Sequence, residues 1–150
     1  MTSIALLEDK FCVVFSREIG FVTICFSFMR VIDGLHNPRG FDVAGDVIYV
    51  ADTGAHEVVG IDMVSGQREV LGGNGARGRE WASPWDVAVL PGQKLLVAMA
   101  GTHQLRRIDL NTKGSNVFAG NGHENIKDDD IDDAELAQPS GLSLSPDGEL

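Results

Sequence analysis

Pro38-Arg39-Gly40-Phe41-Asp42-Val43, leading into Ile48-Tyr49-Val50-Ala51-Asp52-Thr53-Gly54-Ala55-His56, decides the reading of this chain because it comes back. Ala98-Met99-Ala100-Gly101-Thr102-His103 repeats the end of it 47 positions later (98 − 51 = 47). The same step carries Gly73-Asn74-Gly75 onto Gly120-Asn121-Gly122. Pro84 answers Pro38, and Pro139-Ser140-Gly141-Leu142-Ser143-Leu144 opens a third round. A period of this length belongs to propeller blades and solenoid repeats, so the repeat is settled before any single residue is interpreted.

Within each round the signals are those of short strands and tight turns. In the first, Gly40 to Val43, Val47 to Asp52, Glu57 to Met63 and Gln67 to Leu71 read as strands. Gly45-Asp46, Thr53 to His56 and Ser65-Gly66 read as the turns between them. In the second, Asp86 to Leu90, Lys94 to Ala98, Gln104 to Asp109 and Ser115 to Phe118 follow the same grammar. Four short antiparallel strands joined by turns make one propeller blade. The expected fold is therefore all-β: a partial propeller with about two complete four-stranded blades plus the first strand of a third. From Pro84 to Pro139 the interval is longer than from Pro38 to Pro84, and the excess falls in the acidic loop Asn121 to Leu136.

Residues 1–34 carry none of these motifs and are expected to be a separate N-terminal segment preceding the repeats of 35–150. Phe11 to Phe15 and Phe21 to Met29 are rich in β-branched and aromatic residues and read as strands, either of a preceding blade or of an extension foreign to the fold. Arg17 and Glu18 interrupt the apolar stretch, which argues against a membrane span. Glu8 and Asp9 stand where a signal peptide would be basic.

Composition narrows function mainly by exclusion. Twelve Lys and Arg against 22 Asp and Glu give a net charge of −10, opposed to phosphate backbones and to anionic lipid. Neither nucleic acid nor membrane is expected as a partner. Cys12 and Cys25 form no C-x-x-C motif, and a count of two suits a reducing, cytoplasmic compartment.

The repeat residues resemble a known family. Pro-x-Gly, then Val-Ile-Tyr-Val-Ala-Asp-Thr-Gly-Ala-His and a following Ile-Asp, look like an NHL repeat. Ser83-Pro84-Trp85-Asp86-Val87, Phe118-Ala119-Gly120-Asn121-Gly122 and Ala137-Gln138-Pro139-Ser140-Gly141 resemble the subgroup of NHL repeat-containing protein 2 and its relatives. In that subgroup a thioredoxin-like domain precedes the propeller. No such domain or redox cysteine pair is present in these residues, so the resemblance transfers no thiol chemistry. The repeat itself, with no complete catalytic constellation in it, points to a non-enzymatic interaction scaffold with an unidentified protein partner. The alternatives are a metal-dependent propeller enzyme of the lyase or lactone-hydrolase type, or an RNA-binding NHL domain with a basic face. A scaffold of this kind is expected to be a fragment of a larger protein, with further blades or a second copy needed to close its ring.

Candidate chemistry is judged by whether it recurs. His56 and His103 hold the same turn in successive rounds, which points to a structural task rather than to catalysis, and Asp52, at the end of the second strand, is expected to accept N–H bonds of that turn. Asp62 and Asp109, each after an isoleucine, read as turn formers. The run Asp128-Asp129-Asp130-Ile131-Asp132-Asp133 alternates like a calcium loop, but Asp133 stands where glycine is required and Pro139 where the bidentate glutamate belongs. Gly72 to Gly78 lacks the Gly-Lys-Ser/Thr of a phosphate loop. No catalytic residue, metal or cofactor is expected. Binding residues are expected where the rounds disagree at blade starts: Arg39, Trp85, Asp86 and Ser140.

Overall fold

The structure, a computed structural model, describes residues 34–145 throughout and, before them, the backbones of four strands. Those strands are β1 (Ser3–Leu7), β2 (Lys10–Val14), β3 (Phe21–Cys25) and β4 (Met29–Ile32). The next two sheets are β5 (Pro38–Ala44), β6 (Val47–Asp52), β7 (Glu57–Asp62) and β8 (Arg68–Gly72), then β9 (Pro84–Leu90), β10 (Lys94–Met99), β11 (Gln104–Asp109) and β12 (Ser115–Ala119). Each sheet is an antiparallel meander whose strands pair in chain order. The segment before the repeats thus has the same strand grammar as the repeats themselves, although it lacks their motifs.

A meander of this size cannot shelter both of its faces, and the burial of the second strands shows how the problem is solved. β6 and β10 are buried at every position but the first, instead of alternating in and out. Such strands are covered on both sides, as stacked blades require. On one face of the β5–β8 sheet, Ile48, Val50, Val59, Ile61 and Met63 pack with Leu35, Phe41 and Val43. Its other face sends Tyr49, Val58 and Leu71 against Val87, Leu95, Val97, Met99 and Ile108 of the next sheet. That second cluster is the seam. Each fully buried aliphatic side chain there contributes about 1.5–3 kcal/mol of transfer free energy.

The first strands of successive sheets lie side by side, β1 along β5 and β5 along β9. Both described blade starts are irregular. In β5, Pro38 faces Asp52 and the ladder resumes only at Phe41 opposite Val50. In β9, Pro84 faces Met99 and Asp86 faces Ala98, so Trp85 has no partner of its own. Bulges of this sort re-aim a side chain out of the pleat.

Residues 139–145 add no ladder to the described sheets. The strand expected at Gly141 to Ser145 would pair beyond the turn Pro146-Asp147-Gly148, which lies outside the described residues. Its approach to the second blade is nonetheless fixed, because the Leu142 N–H donates to Asp86 Oδ2 at 2.8 Å.

Candidate functional site

The bulges bring together most of the residues singled out at blade starts. Arg39 leaves the ladder in β5 and Trp85 leaves it in β9, and the Arg39 guanidinium carbon lies 4.1 Å from the Trp85 ring centroid. This is a close cation–π stack between neighbouring blades, and both residues are half-buried. Asp86 lies next to it. Its Oδ1 accepts from the Val87 N–H at 2.9 Å and its Oδ2 from Leu142. Ser140 is exposed and lies outside the stack.

Asp42 is the member of this group that sequence reasoning missed. Its Oδ1 accepts from the Val43 N–H at 2.8 Å, and its Oδ2 crosses to the Val89 N–H of the next blade at 2.7 Å. Asp42 and Asp86 therefore do the same work in successive rounds, each holding through one amide the segment that follows the next proline, β9 for Asp42 and the stretch at Leu142 for Asp86. They occupy different places relative to their prolines, two residues apart, so the repeat alignment does not pair them. Burial pushes the Asp86 carboxyl up from the ordinary aspartate range, the bonds from Leu142 and Val87 oppose this, and the Asp42 charge adds to it.

The two turn histidines act as seam acceptors. His56 Nδ1 accepts from the Ser83 N–H at 3.0 Å, and His103 Nδ1 from the Gln138 N–H at 3.4 Å. Ser83 and Gln138 are the left-handed residues immediately before Pro84 and Pro139, with φ of 51° and 48°. Both histidines are themselves left-handed, each with φ of 55°. The same seam carries a bond from the Thr53 hydroxyl to the Pro84 carbonyl at 2.6 Å.

Asp52 needs a correction. It was expected to accept N–H bonds from its own turn, but it caps nothing in the 3-10 turn Thr53–Ala55. Its Oδ1 accepts instead from the His36 N–H at 2.6 Å, on the segment that enters the blade. The cause is its direction: fully buried on β6, it points to the chain entry and not along the turn. The Arg68 guanidinium is 3.6 Å from Oδ2 and also meets Glu57 at 3.3 Å. Burial pushes the Asp52 carboxyl up, against the lowering effects of the His36 bond and Arg68. In the next blade Met99 and Gln104 replace Asp52 and Glu57, and Ser115 replaces Arg68, so the charged network belongs to one blade only.

The remaining aspartates are local. Asp62 Oδ1 accepts from the N–H groups of Val64 and Ser65, and Asp109 Oδ1 from those of Asn111 and Thr112. In the acidic loop the Asp130 carbonyl accepts from Asp133 and Ala134, and Lys127 pairs with Asp129 at 2.5 Å. Among the described residues no three His, Cys, Asp or Glu side chains converge on a point a metal could occupy.

Four-stranded meanders, stacked face to face with their first strands adjacent, are the blades of a β-propeller. These blades are of the NHL-repeat kind, and the chain is similar to NHL repeat-containing protein 2. It is 34% identical to the Homo sapiens form of that protein over 140 residues, covering 73% of this chain and 19% of the relative. It is also 35% identical over 127 residues to Protein SUPPRESSOR OF QUENCHING 1, chloroplastic, of Arabidopsis thaliana, covering 75% of this chain and 12% of that one. The chain thus spans a fifth or less of these relatives' length. No family model matches it. Among solved structures it is similar to a chain of a nidogen/laminin complex, at 19% identity and a TM-score of 0.59, covering 73% of this chain and 43% of that one. A catalytically inactive virginiamycin B lyase from Staphylococcus aureus with quinupristin gives 15% identity and a TM-score of 0.63, covering 77% and 40%. Both likenesses concern fold alone. No helix among the described residues is long and apolar enough to cross a membrane.

Proposed function

We propose that this chain is a non-enzymatic protein-interaction scaffold whose docking surface is the blade-start face around Arg39, Trp85 and Asp86. The observation that carries this reading is the Arg39–Trp85 stack, raised out of two bulged strands at one seam. Tryptophan and arginine are the side chains most enriched at the energetic centres of protein interfaces. Here each holds the other in place, which lowers the ordering cost a partner must meet. The two histidines that recur in the repeat, His56 and His103, serve the seam instead, each accepting a backbone N–H at Nδ1 from the segment before the next blade-start proline. Neither nucleic acid nor membrane is proposed as a partner, and the proposed compartment is the cytoplasm.

The test compares the chain with a Trp85→Ala variant of matching melting temperature, both immobilised and exposed to native extract. The reading expects at least one protein retained tenfold less by the variant on quantitative mass spectrometry. If no protein differs by more than twofold, the docking face is wrongly placed. Stoichiometric zinc or calcium in the purified full chain would overturn the non-enzymatic part. A tagged chain concentrated in an organelle would overturn the compartment.

A further inference from the structure

A second site lies away from the blade starts. Between the β5–β8 and β9–β12 sheets runs a groove of about 400 Å³, within the range of about 300–1,000 Å³ typical of ligand pockets. Its floor is apolar and aromatic, formed by Tyr49, Gly60 and Leu71 of one blade and Leu110 of the next. At its mouth Glu69 of β8 meets Lys113 of the β11–β12 turn at 2.9 Å.

The repeat shows what the groove lacks. Gly60 corresponds to Arg107 and Leu71 to Phe118, each 47 positions on (107 − 60 = 47; 118 − 71 = 47). The ladders agree, since Gly60 faces Glu69 on β8 and Arg107 faces Asn116 on β12. In the later blade the Arg107 guanidinium carbon lies 5.7 Å from the Phe118 ring centroid, so an arginine fills the place above that floor. In the earlier blade the glycine leaves it open. The nearest atoms to a Cβ built on Gly60 are all in side chains, of Leu71, Tyr49 and Val47, at 3.3–3.6 Å. The emptiness is therefore a matter of the missing side chain and not of a collapsed backbone.

We propose that this groove binds an arginine side chain presented by a partner polypeptide, which takes in trans the place Arg107 takes in cis. The apolar stem would lie on Leu71 and Leu110, with the guanidinium between the Tyr49 ring and the Glu69 carboxylate. Glu69 and Lys113 are about half exposed, with side chains at 60% and 46%, and an exposed pair of this kind is weak. A planar guanidinium, able to give the carboxylate two parallel bonds, displaces the Lys113 ammonium. The lining charges cancel, Asp62 and Glu69 against Arg68 and Lys113, so the groove selects for a stem and a fork together and has little pull on a bare ion.

The test titrates the full chain with a short Gly/Ser peptide holding one arginine, followed by amide NMR shifts. Parallel titrations use the same peptide with citrulline or lysine in its place, and N-acetyl-arginine amide alone. Saturable binding is expected for the arginine peptide, with shifts at Gly60 and Leu71, and at least tenfold weaker binding for citrulline and lysine. Gly60→Arg, which restores the side chain in cis, is expected to abolish binding with the melting temperature held. Glu69→Gln, a surface change that leaves folding intact, is expected to weaken it at least threefold. Binding of citrulline equal to arginine, undiminished binding by folded Gly60→Arg or by Glu69→Gln, or no saturation by about 5 mM peptide would overturn the proposal. Equal affinity for N-acetyl-arginine amide and the peptide would overturn the polypeptide as source.

Discussion

Gly40 and Gly141 hold the same place after their prolines, yet the structure predicts opposite outcomes for the same substitution. A Cβ on Gly40 would stand 2.6 Å from the Asp86 Cα, with the Asp86 carboxylate oxygen nearer still. A Cβ on Gly141 would meet only Asp86 Oδ2, at an ordinary 3.9 Å. Neither glycine has a left-handed φ, so backbone strain does not enter and the conflict at Gly40 is purely one of space. Gly40→Ala must move one inner strand until a gap of 2.6 Å approaches about 3.4 Å, and that strand is tied by the Asp42 bond to Val89. Overpacking of this kind costs about 1–3 kcal/mol, and at a backbone-to-backbone contact the upper end applies. With a urea slope of about 2 kcal/mol/M, a cost of about 3 kcal/mol lowers the midpoint by about 1.5 M. The assay is urea unfolding followed by the fluorescence of Trp81 and Trp85. Gly141→Ala should stay within about 0.5 kcal/mol of the parent. Replacing Asp86 by glycine as well removes the carboxylate but leaves its Cα, so the double variant is not rescued. Equal midpoints for the two alanine variants would refute this account of the seam.

Three further outcomes follow from the same contacts. Asp52 is an aspartate whose folded pKa is raised, so its stabilising contribution is present at low pH and falls as pH climbs from its unfolded value through the folded one. Asp52→Asn should therefore gain on the parent as pH rises above the ordinary aspartate range, and parallel pH profiles in thermal melts would show that the carboxylate is not held against its charge. Leu95 is fully buried at the seam, and Leu95→Ala should cost about 2–5 kcal/mol in chemical denaturation, whereas Val64→Ala at a site 71% exposed should cost less than about 0.5 kcal/mol. His56→Ala removes the acceptor of the Ser83 amide while leaving a Cβ residue at φ 55° as before, at a cost of about 1–2 kcal/mol. His56→Asn should be milder, since asparagine tolerates that conformation, and hydrogen exchange at Ser83 should rank the variants in the same order.

The blades were legible because repetition corroborates itself: two rounds 47 residues apart agree on where apolar runs and turns fall, and the ladders follow them closely. What escaped were features of pairing between distant segments. A bulge exists only relative to a partner strand, so nothing around Arg39 or Trp85 announces that both leave the ladder. The stack they form needs one residue from each of two blades. Asp42 was hidden because the repeat aligns it with Ala88, a residue without a carboxylate. Asp52 looked like a turn residue since its nearest neighbours in sequence are a turn, but burial turned it toward His36. The four strands before the repeats gave only a compositional signal, because none of the motifs that recur in the later rounds stands among them. Gly60 against Arg107 was visible in principle, as the largest change of side-chain volume between matched strand positions of the two blades.

The acidic loop between the second blade and Pro139 also bears on the field around the molecule. Its two ends are pinned, since the Gly120 and Asn121 N–H groups donate to the Ile131 and Ala134 carbonyls, and Lys127 pairs with Glu135 as an isolated bridge. From Asn121 to Leu136 it carries seven acids and one lysine, a net −6 of the chain's −10. The other residues together hold only −4. The negative potential is thus concentrated on one self-closed hairpin at one seam, and beyond a Debye length of about 8 Å in physiological salt its influence is largely screened. The blade-start stack and the Tyr49 groove sit on a nearly neutral body, where the fit of individual side chains, and not bulk charge, selects what binds.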